Sequence, residues 1–155
     1  MRSAVSRQCA GDRLVLPAVP EATGRARAFT AETLRSWEAM CILDDTLLVS
    51  SELVTNAVRA TRGMDLVAVQ LRFAGRSFYI EVWDSAPGVP VVNQVDADAE
   101  EGRGLRLVDA LATRWGTCWP QAGGKVVWAE LPLPGVPETP PAAASGSPSL
   151  EPLLR

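Results

Sequence analysis

Two consecutive runs of alternating apolar and polar residues constrain the fold of this chain more than any other feature of its sequence. Apolar side chains fill every second position of residues 67–73, and again of residues 78–82. Successive side chains of a strand point to opposite faces of a sheet, so this period of two indicates strands with one buried face. Because a short turn at Gly75 and Arg76 separates the runs, we predict a β-hairpin.

Strand and helix patterns precede this hairpin. Residues 13–16 form a short apolar run that indicates a strand. Pro20 followed by an acid is typical of a helix start, and the first helix is predicted over residues 21–38. Asp44 is the expected N-cap of a second helix over residues 45–61. The apolar positions expected to form the buried stripe of that helix are Leu47, Val54 and Val58.

The chain after the hairpin contains one long segment without periodicity. Residues 85–101 carry prolines, glycines and several acids, and a loop of this length is usually a functional lid or disordered. Gly102 is predicted to open a third helix that extends to about residue 112, and two closing strands follow at residues 114–119 and 125–131. The order β, α, α, β, β, lid, α, β, β predicts an α/β (α+β) fold, a two-layer sandwich of helices on a mainly antiparallel mixed sheet.

The predicted domain covers residues 12–133. A chain of 155 residues has room for one such domain with a single core. Residues 1–11 are expected to be a flexible leader, and the Pro/Ala/Ser-rich residues 134–155 a disordered tail.

The composition excludes several classes of function. Histidine is absent, which rules out Ser-His-Asp and Cys-His hydrolases. The formal net charge of −3 offers no general attraction for phosphate backbones, so we expect no direct nucleic-acid binding. The sequence shows neither a signal peptide nor an apolar run that could span a membrane. Its three cysteines are scattered and form neither a CxxC pair nor a disulfide framework. We therefore expect a cytoplasmic protein in a reducing compartment that does not bind membranes.

Glu52 and Asn56 form the first candidate site. Residues four apart lie on one face of a helix, one turn from each other. A carboxylate can accept a proton from water or a hydroxyl, and an amide oxygen is a suitable ligand for Mg²⁺. The pair is equally compatible with an ordinary solvated polar face.

Asp84 is the second candidate. It continues the apolar face of the strand that ends at Val82, so its side chain is predicted to point inward, where a carboxylate needs hydrogen-bond donors. The exocyclic amine of adenine would supply one, whereas guanine presents a carbonyl at that position. The alternative is a carboxylate that caps the turn formed by the following Ser-Ala-Pro-Gly residues.

The third candidate is the run Gly102, Arg103, Gly104. Glycines allow close approach of the backbone to phosphates, and the start of a helix supplies free N–H groups and a positive dipole. Arg103 adds a positive charge. A tight turn before a helix would use the same residues.

The order and spacing of these segments resemble one superfamily. Glu-Leu-Val-Thr-Asn-Ala-Val-Arg at residues 52–59, Gly-Arg-Gly-Leu at 102–105 and Val-Trp-Ala-Glu-Leu at 127–131 are similar to motifs of the GHKL (histidine-kinase-like) ATPases, which have the Bergerat ATP-binding fold. Within that superfamily the chain most resembles the short anti-sigma-factor serine/threonine kinases. The resemblance extends from about residue 14 to residue 132.

The resemblance implies ATP and Mg²⁺ as cofactors and assigns a role to each motif residue. Glu52 matches the catalytic base, Asn56 the Mg²⁺ ligand, and Asp84 the acid that binds the adenine amine. Gly88 matches a glycine beneath the adenine ring, and Gly102, Arg103 and Gly104 match the hinge at the end of the ATP lid. With Leu105 they complete the nucleotide-binding set.

The resemblance also implies partners and activity. Kinases of this type phosphorylate a serine or threonine of an anti-anti-sigma (antagonist) protein, and can sequester a sigma factor; a homodimer is a further expected assembly. The chain departs from the family pattern at three positions, where Ala86 replaces a glycine, Val126 a threonine, and Ala60 a basic residue or histidine. A non-catalytic, nucleotide-dependent protein-interaction module is therefore the alternative function. A third alternative is an unrelated α/β domain that binds no nucleotide.

Overall fold

The computed structural model describes residues 11–61, 65–74, 77–86 and 100–134. Strands and helices within these ranges follow the predicted order, and their bounds differ from the predicted ones by no more than two residues. The elements are β1 (Gly11–Pro17), α1 (Ala22–Ser36), a 3₁₀ turn (Met40–Ile42), α2 (Leu43–Thr61), β2 (Leu66–Ala74), β3 (Ser77–Asp84), α3 (Glu100–Leu111), β4 (Arg114–Cys118) and β5 (Lys125–Leu131).

The five strands form one sheet in the order β1-β2-β3-β5-β4. Each of the four ladders between neighbours is antiparallel. The predicted hairpin is present, with Phe73 opposite Phe78, although its turn residues lie outside the described residues. The predicted two-layer fold is thus confirmed, with helices on one face of an antiparallel sheet.

The core lies between the sheet and the helices. It takes the alternating apolar residues of β2 and β3 and the buried faces of α1 and α2. The predicted stripe of α2 was partly wrong, because only Val54 of its three residues is fully buried, while Leu47 and Val58 lie at the margin. The apolar residues that α2 buries completely are Val49, Leu53, Val54 and Ala57.

Two helices begin earlier than predicted. The 3₁₀ turn leads directly into α2 at Leu43, so Asp44 lies inside the first turn instead of capping it. There its negative charge still interacts favourably with the positive end of the helix dipole. Similarly, α3 begins at Glu100, so Gly102 is not its first residue.

The opposite face of the sheet carries a layer of polar and aromatic side chains. Arg72 donates to the buried carboxylate of Glu81 at 2.7 Å, and its guanidinium lies 4.3 Å from the centre of the Tyr79 ring. Arg114 donates to Glu130 at 2.6 Å on the neighbouring strands. This face therefore differs in chemistry from the apolar face that the helices cover.

The turn between β4 and β5 is fastened to the end of β3. The indole N–H of Trp83 donates to the carbonyl of Gly123 at 3.2 Å. Gly124 has a φ of +79°, and a Cβ at this position would overlap the Asp84 carbonyl oxygen and the Trp83 indole. The turn can approach β3 this closely only because residue 124 is glycine.

Two alanine substitutions distinguish the energetic cost of filling the close contact with β3 from the cost of backbone strain. Gly123→Ala has a positive φ but open space around its Cβ, so we expect a loss of about 1–2 kcal/mol in the free energy of unfolding. Gly124→Ala adds the overlap with β3 and is expected to lose about 1–3 kcal/mol more. Urea unfolding of both variants measures the difference, and equal losses would contradict the close contact.

Candidate functional site

One end of the sheet brings the candidate residues together. β1 and β3 finish there and β2 and β5 begin there, since Leu66 pairs with Pro17 and Asp84 pairs with both Val67 and Lys125. Only residues 62–65 separate the end of α2 from the start of β2. The C-terminal end of α2 therefore reaches the same end of the sheet as Asp84.

Asp84 is buried on the face that the helices cover. It is the last residue of β3 and continues the row of Ile80 and Val82, both in the core. Its side chain is only 1% exposed. One carboxylate oxygen, Oδ1, accepts a hydrogen bond from the backbone N–H of Ala86 at 3.1 Å, and the other, Oδ2, lies 3.5 Å from the Nζ of Lys125.

Burial raises the pKa of the Asp84 carboxyl group above its usual value. Desolvation of the charged form is the main cause, and the positive charge of Lys125 and the N–H of Ala86 oppose it only in part. The two oxygens of a carboxylate have about four lone-pair sites, so these two contacts with described residues do not fill them. A ligand that donates a hydrogen bond would relieve the remaining cost of burial.

Sequence reasoning did not identify Lys125, and the structure shows which way its neighbour faces. Val126, predicted to stand where family members have a threonine beside the closing strand, is fully buried on the opposite face of the sheet against Ala68. Its side chain therefore does not face Asp84. The register places Lys125 directly opposite Asp84, and this position follows the Gly123–Gly124 turn that marks the start of β5.

Glu52 and Asn56 lie one turn apart on α2, and both are half-buried. The preceding residue of each, Ser51 and Thr55, contacts α1: Arg27 donates to Ser51 at 2.7 Å, and the hydroxyl groups of Thr23 and Thr55 are 3.3 Å apart. Successive residues are rotated by about 100° around a helix. Glu52 and Asn56 are thereby turned away from the flank that α1 covers.

The contacts between α1 and α2 also show which of the two residues lies nearer to Asp84. Thr23 belongs to the first turn of α1, which starts five residues after β1 ends at the Asp84 end of the sheet. Its partner Thr55 is therefore close to that end, and so is Asn56. Glu52 lies one turn farther from the buried carboxylate.

The third motif lies near the start of α3. The backbones of Gly102, Arg103 and Gly104 belong to the first turns of this helix, which packs against α2. Leu105 follows in the same helix and is half-buried. Gly88 and residues 87–99, most of the predicted lid, lie outside the described residues.

The residues present fit an adenine nucleotide with Mg²⁺. Asp84 supplies a buried acceptor, and its hydrogen bonds to the described residues use only part of its capacity, which leaves room for the adenine amine. In the described part of the chain, no three His, Cys, Asp or Glu side chains cluster as a metal site built from protein ligands would need. Mg²⁺ is compatible with that, because it is usually held by one or two protein oxygens together with substrate phosphates and water. Asn56 is suited to be that protein ligand.

The family described as "Histidine kinase-like ATPase domain" matches residues 16–130, which is 115 of the 155 residues. No curated protein matches the chain significantly. Separately, none of the helices in the described ranges has the length and apolar character needed to cross a bilayer.

The raised pKa of Asp84 predicts a pH-dependent difference between the wild type and Asp84→Asn. The folded state binds the proton more tightly than the unfolded state, so ionisation of Asp84 removes stability as the pH rises from the usual aspartate range, near 4, through the raised pKa. The variant lacks this loss. In urea unfolding at a series of pH values, the free energy of unfolding of the variant is expected to rise relative to that of the wild type across that window. A relative fall across the same window would contradict the raised pKa of Asp84.

Proposed function

Because the chain belongs to the histidine kinase-like ATPase family, we propose that it is an ATP-binding regulatory protein that acts as a serine/threonine kinase of the anti-sigma-factor type. Family membership supports the ATP-binding regulatory role. The observation that carries the proposal is the burial of the Asp84 carboxylate on the helix-covered face, at the end of the sheet that α2 reaches.

Asp84 would select the base. Its carboxylate accepts a hydrogen bond from the adenine amine inside a site that excludes water. Guanine would present its carbonyl oxygen to the same carboxylate, which leaves two acceptors facing each other in a poorly solvated site. The predicted preference is therefore for adenine over guanine nucleotides.

Glu52 would act as the general base. Its half-buried carboxylate lies one turn from Asn56 on the flank of α2 that α1 does not cover. There it can accept the proton of a serine or threonine hydroxyl as that oxygen attacks the terminal phosphate of ATP and ADP leaves. Bound Mg²⁺ would neutralise phosphate charge, and Asn56 is the residue that would hold it. The N–H groups at the start of α3, with Arg103, would bind phosphate oxygens.

The proposed partners follow from the resemblance to the anti-sigma-factor kinases. A kinase needs a protein that presents a serine or threonine to Glu52, and an anti-anti-sigma protein is the proposed substrate. A sigma factor is the proposed second partner, held without phosphorylation, and association of two copies of the chain is also proposed. Direct binding of nucleic acid or membrane is not proposed, in keeping with the net charge of −3.

A second candidate function is a nucleotide-dependent interaction module without phosphoryl transfer. Ala86 favours it, because this half-buried residue stands two positions after Asp84 where the family has glycine. Its methyl group adds bulk beside the carboxylate that would bind the base. Val126 no longer supports this alternative, since its side chain lies on the opposite face of the sheet.

Calorimetric titration tests nucleotide binding and its dependence on Asp84. We expect the wild type to bind ATP and ADP, to bind GTP more weakly, and to bind ATP more tightly with Mg²⁺. Asp84→Asn replaces one acceptor oxygen by an amide nitrogen and is expected to weaken ATP binding by at least about tenfold. The exposed Asp65, changed to asparagine, is the matched control and should bind like the wild type. Equal binding by all three proteins would contradict the assigned site.

Phosphoryl transfer is tested separately with Glu52→Gln. The amide cannot accept the hydroxyl proton, so transfer should fall by at least about a hundredfold while ATP affinity changes little. The probe is radiolabelled ATP with soluble proteins of the source cell, and the readout is acid-stable phosphate on serine or threonine. Glu32→Gln, at an exposed position of α1, serves as the control. ATP binding without any transfer by the wild type would favour the interaction module.

A further inference from the structure

The carboxylate of Asp84 has a cationic neighbour that the resemblance did not include. The Nζ of Lys125 lies 3.5 Å from Oδ2 of Asp84. Asp84 is 1% exposed, whereas the lysine side chain is 31% exposed. Lysine has three N–H donors, so contact with one carboxylate oxygen leaves others for a ligand. The site therefore presents an acceptor and a donor side by side.

The position of Lys125 is set by its backbone. It pairs with Asp84 across the β3–β5 ladder. The preceding turn is held against β3 by the hydrogen bond from Trp83 to Gly123 and by the close approach of Gly124. Lys125 is the first residue of β5, and its side chain thus lies beside the buried carboxylate.

An adjacent acceptor and donor match a purine edge. Adenine has its amine donor next to a ring-nitrogen acceptor, at N1 on one edge and at N7 on the other. Asparagine and glutamine recognise adenine in nucleic acids with this same pair of functions. We propose that Lys125 is a specificity-determining residue of the base site: it donates to the ring nitrogen next to the amine while Asp84 accepts from the amine. The proposal rests on the proposed function, since it concerns the same nucleotide site.

Two contacts discriminate between bases better than one. In the orientation that adenine takes on its N1 edge, guanine would place its carbonyl against Asp84 and its ring N–H against Lys125. On the N7 edge, the carbonyl would still face Asp84. The ammonium also offsets part of the desolvation of the buried carboxylate, so Lys125 supports the ionised form that accepts the amine.

The direct test uses wild-type protein and three ligands. ADP is compared with 1-deaza-ADP and 7-deaza-ADP, each of which replaces one ring nitrogen by C–H and keeps the amine. One of the two analogues is expected to bind on the order of tenfold to a hundredfold more weakly than ADP, as loss of a hydrogen bond to a charged group predicts. The analogue affected identifies the edge that is read. Equal affinity for all three ligands would overturn the proposal.

A variant completes a double-mutant cycle. Lys125→Met approximates the aliphatic part of the side chain and removes its donors, so it should bind ADP on the order of tenfold more weakly than the wild type and lose the difference between ADP and the affected analogue. It should also discriminate less between ATP and GTP. Tighter ADP binding by Lys125→Met would overturn the proposal, because it would show that Lys125 competes with the base for Asp84.

A measurement on the wild type alone guards against misfolding of the variant. Lys125 is the single lysine of the chain, so ¹⁵N-labelled lysine gives one side-chain Nζ signal in NMR spectra. Saturating ADP should shift that signal, and the affected deaza analogue should shift it differently. No response to bound ADP would overturn the role of Lys125 and leave the nucleotide site standing. Failure to bind any adenine nucleotide would instead remove the proposed function itself.

Discussion

A carboxylate is costly to bury at the end of a core strand, and the structure around Asp84 is organised to hold one there. The N–H of Ala86 and the ammonium of Lys125 meet its two oxygens, yet burial still raises the pKa of the acid. An acid that remains less stable than in water gains from a ligand that donates a hydrogen bond. The property that makes Asp84 unfavourable for folding is therefore the one that suits it to binding.

The sheet and the helices contribute to the site in different ways. The antiparallel ladders fix Asp84 and Lys125 opposite each other, and Gly124 lets the turn before β5 approach closely. Helix α2 is oriented by its contacts with α1 through Ser51 and Thr55, which leaves the flank with Glu52 and Asn56 for chemistry. Rigid elements thus hold the residues proposed to recognise the base and to face the phosphates, while the predicted lid follows directly from β3.

Periodicity predicted most of the fold because a half-buried strand leaves a clear pattern of two. The same pattern predicted the inward direction of Asp84, which continues the face of Ile80 and Val82. Helix starts were less accurate, since a 3₁₀ turn leads into α2 without a separate cap. Lys125 could not be found from local sequence, because its meaning depends on the register between β3 and β5, strands about forty residues apart. The direction of the Val126 side chain, which packs with Ala68 on the opposite face, depends on the same register.

An adenine nucleotide is proposed to bind between the end of β3 and the flank of α2 that α1 does not cover. A crystal structure of the protein with ADP and Mg²⁺ tests it most directly. We expect the adenine amine to lie within hydrogen-bonding distance of the Asp84 carboxylate and the phosphates to face Asn56 and the start of α3. A nucleotide bound elsewhere, with Asp84 in contact only with Ala86 and Lys125, would contradict it.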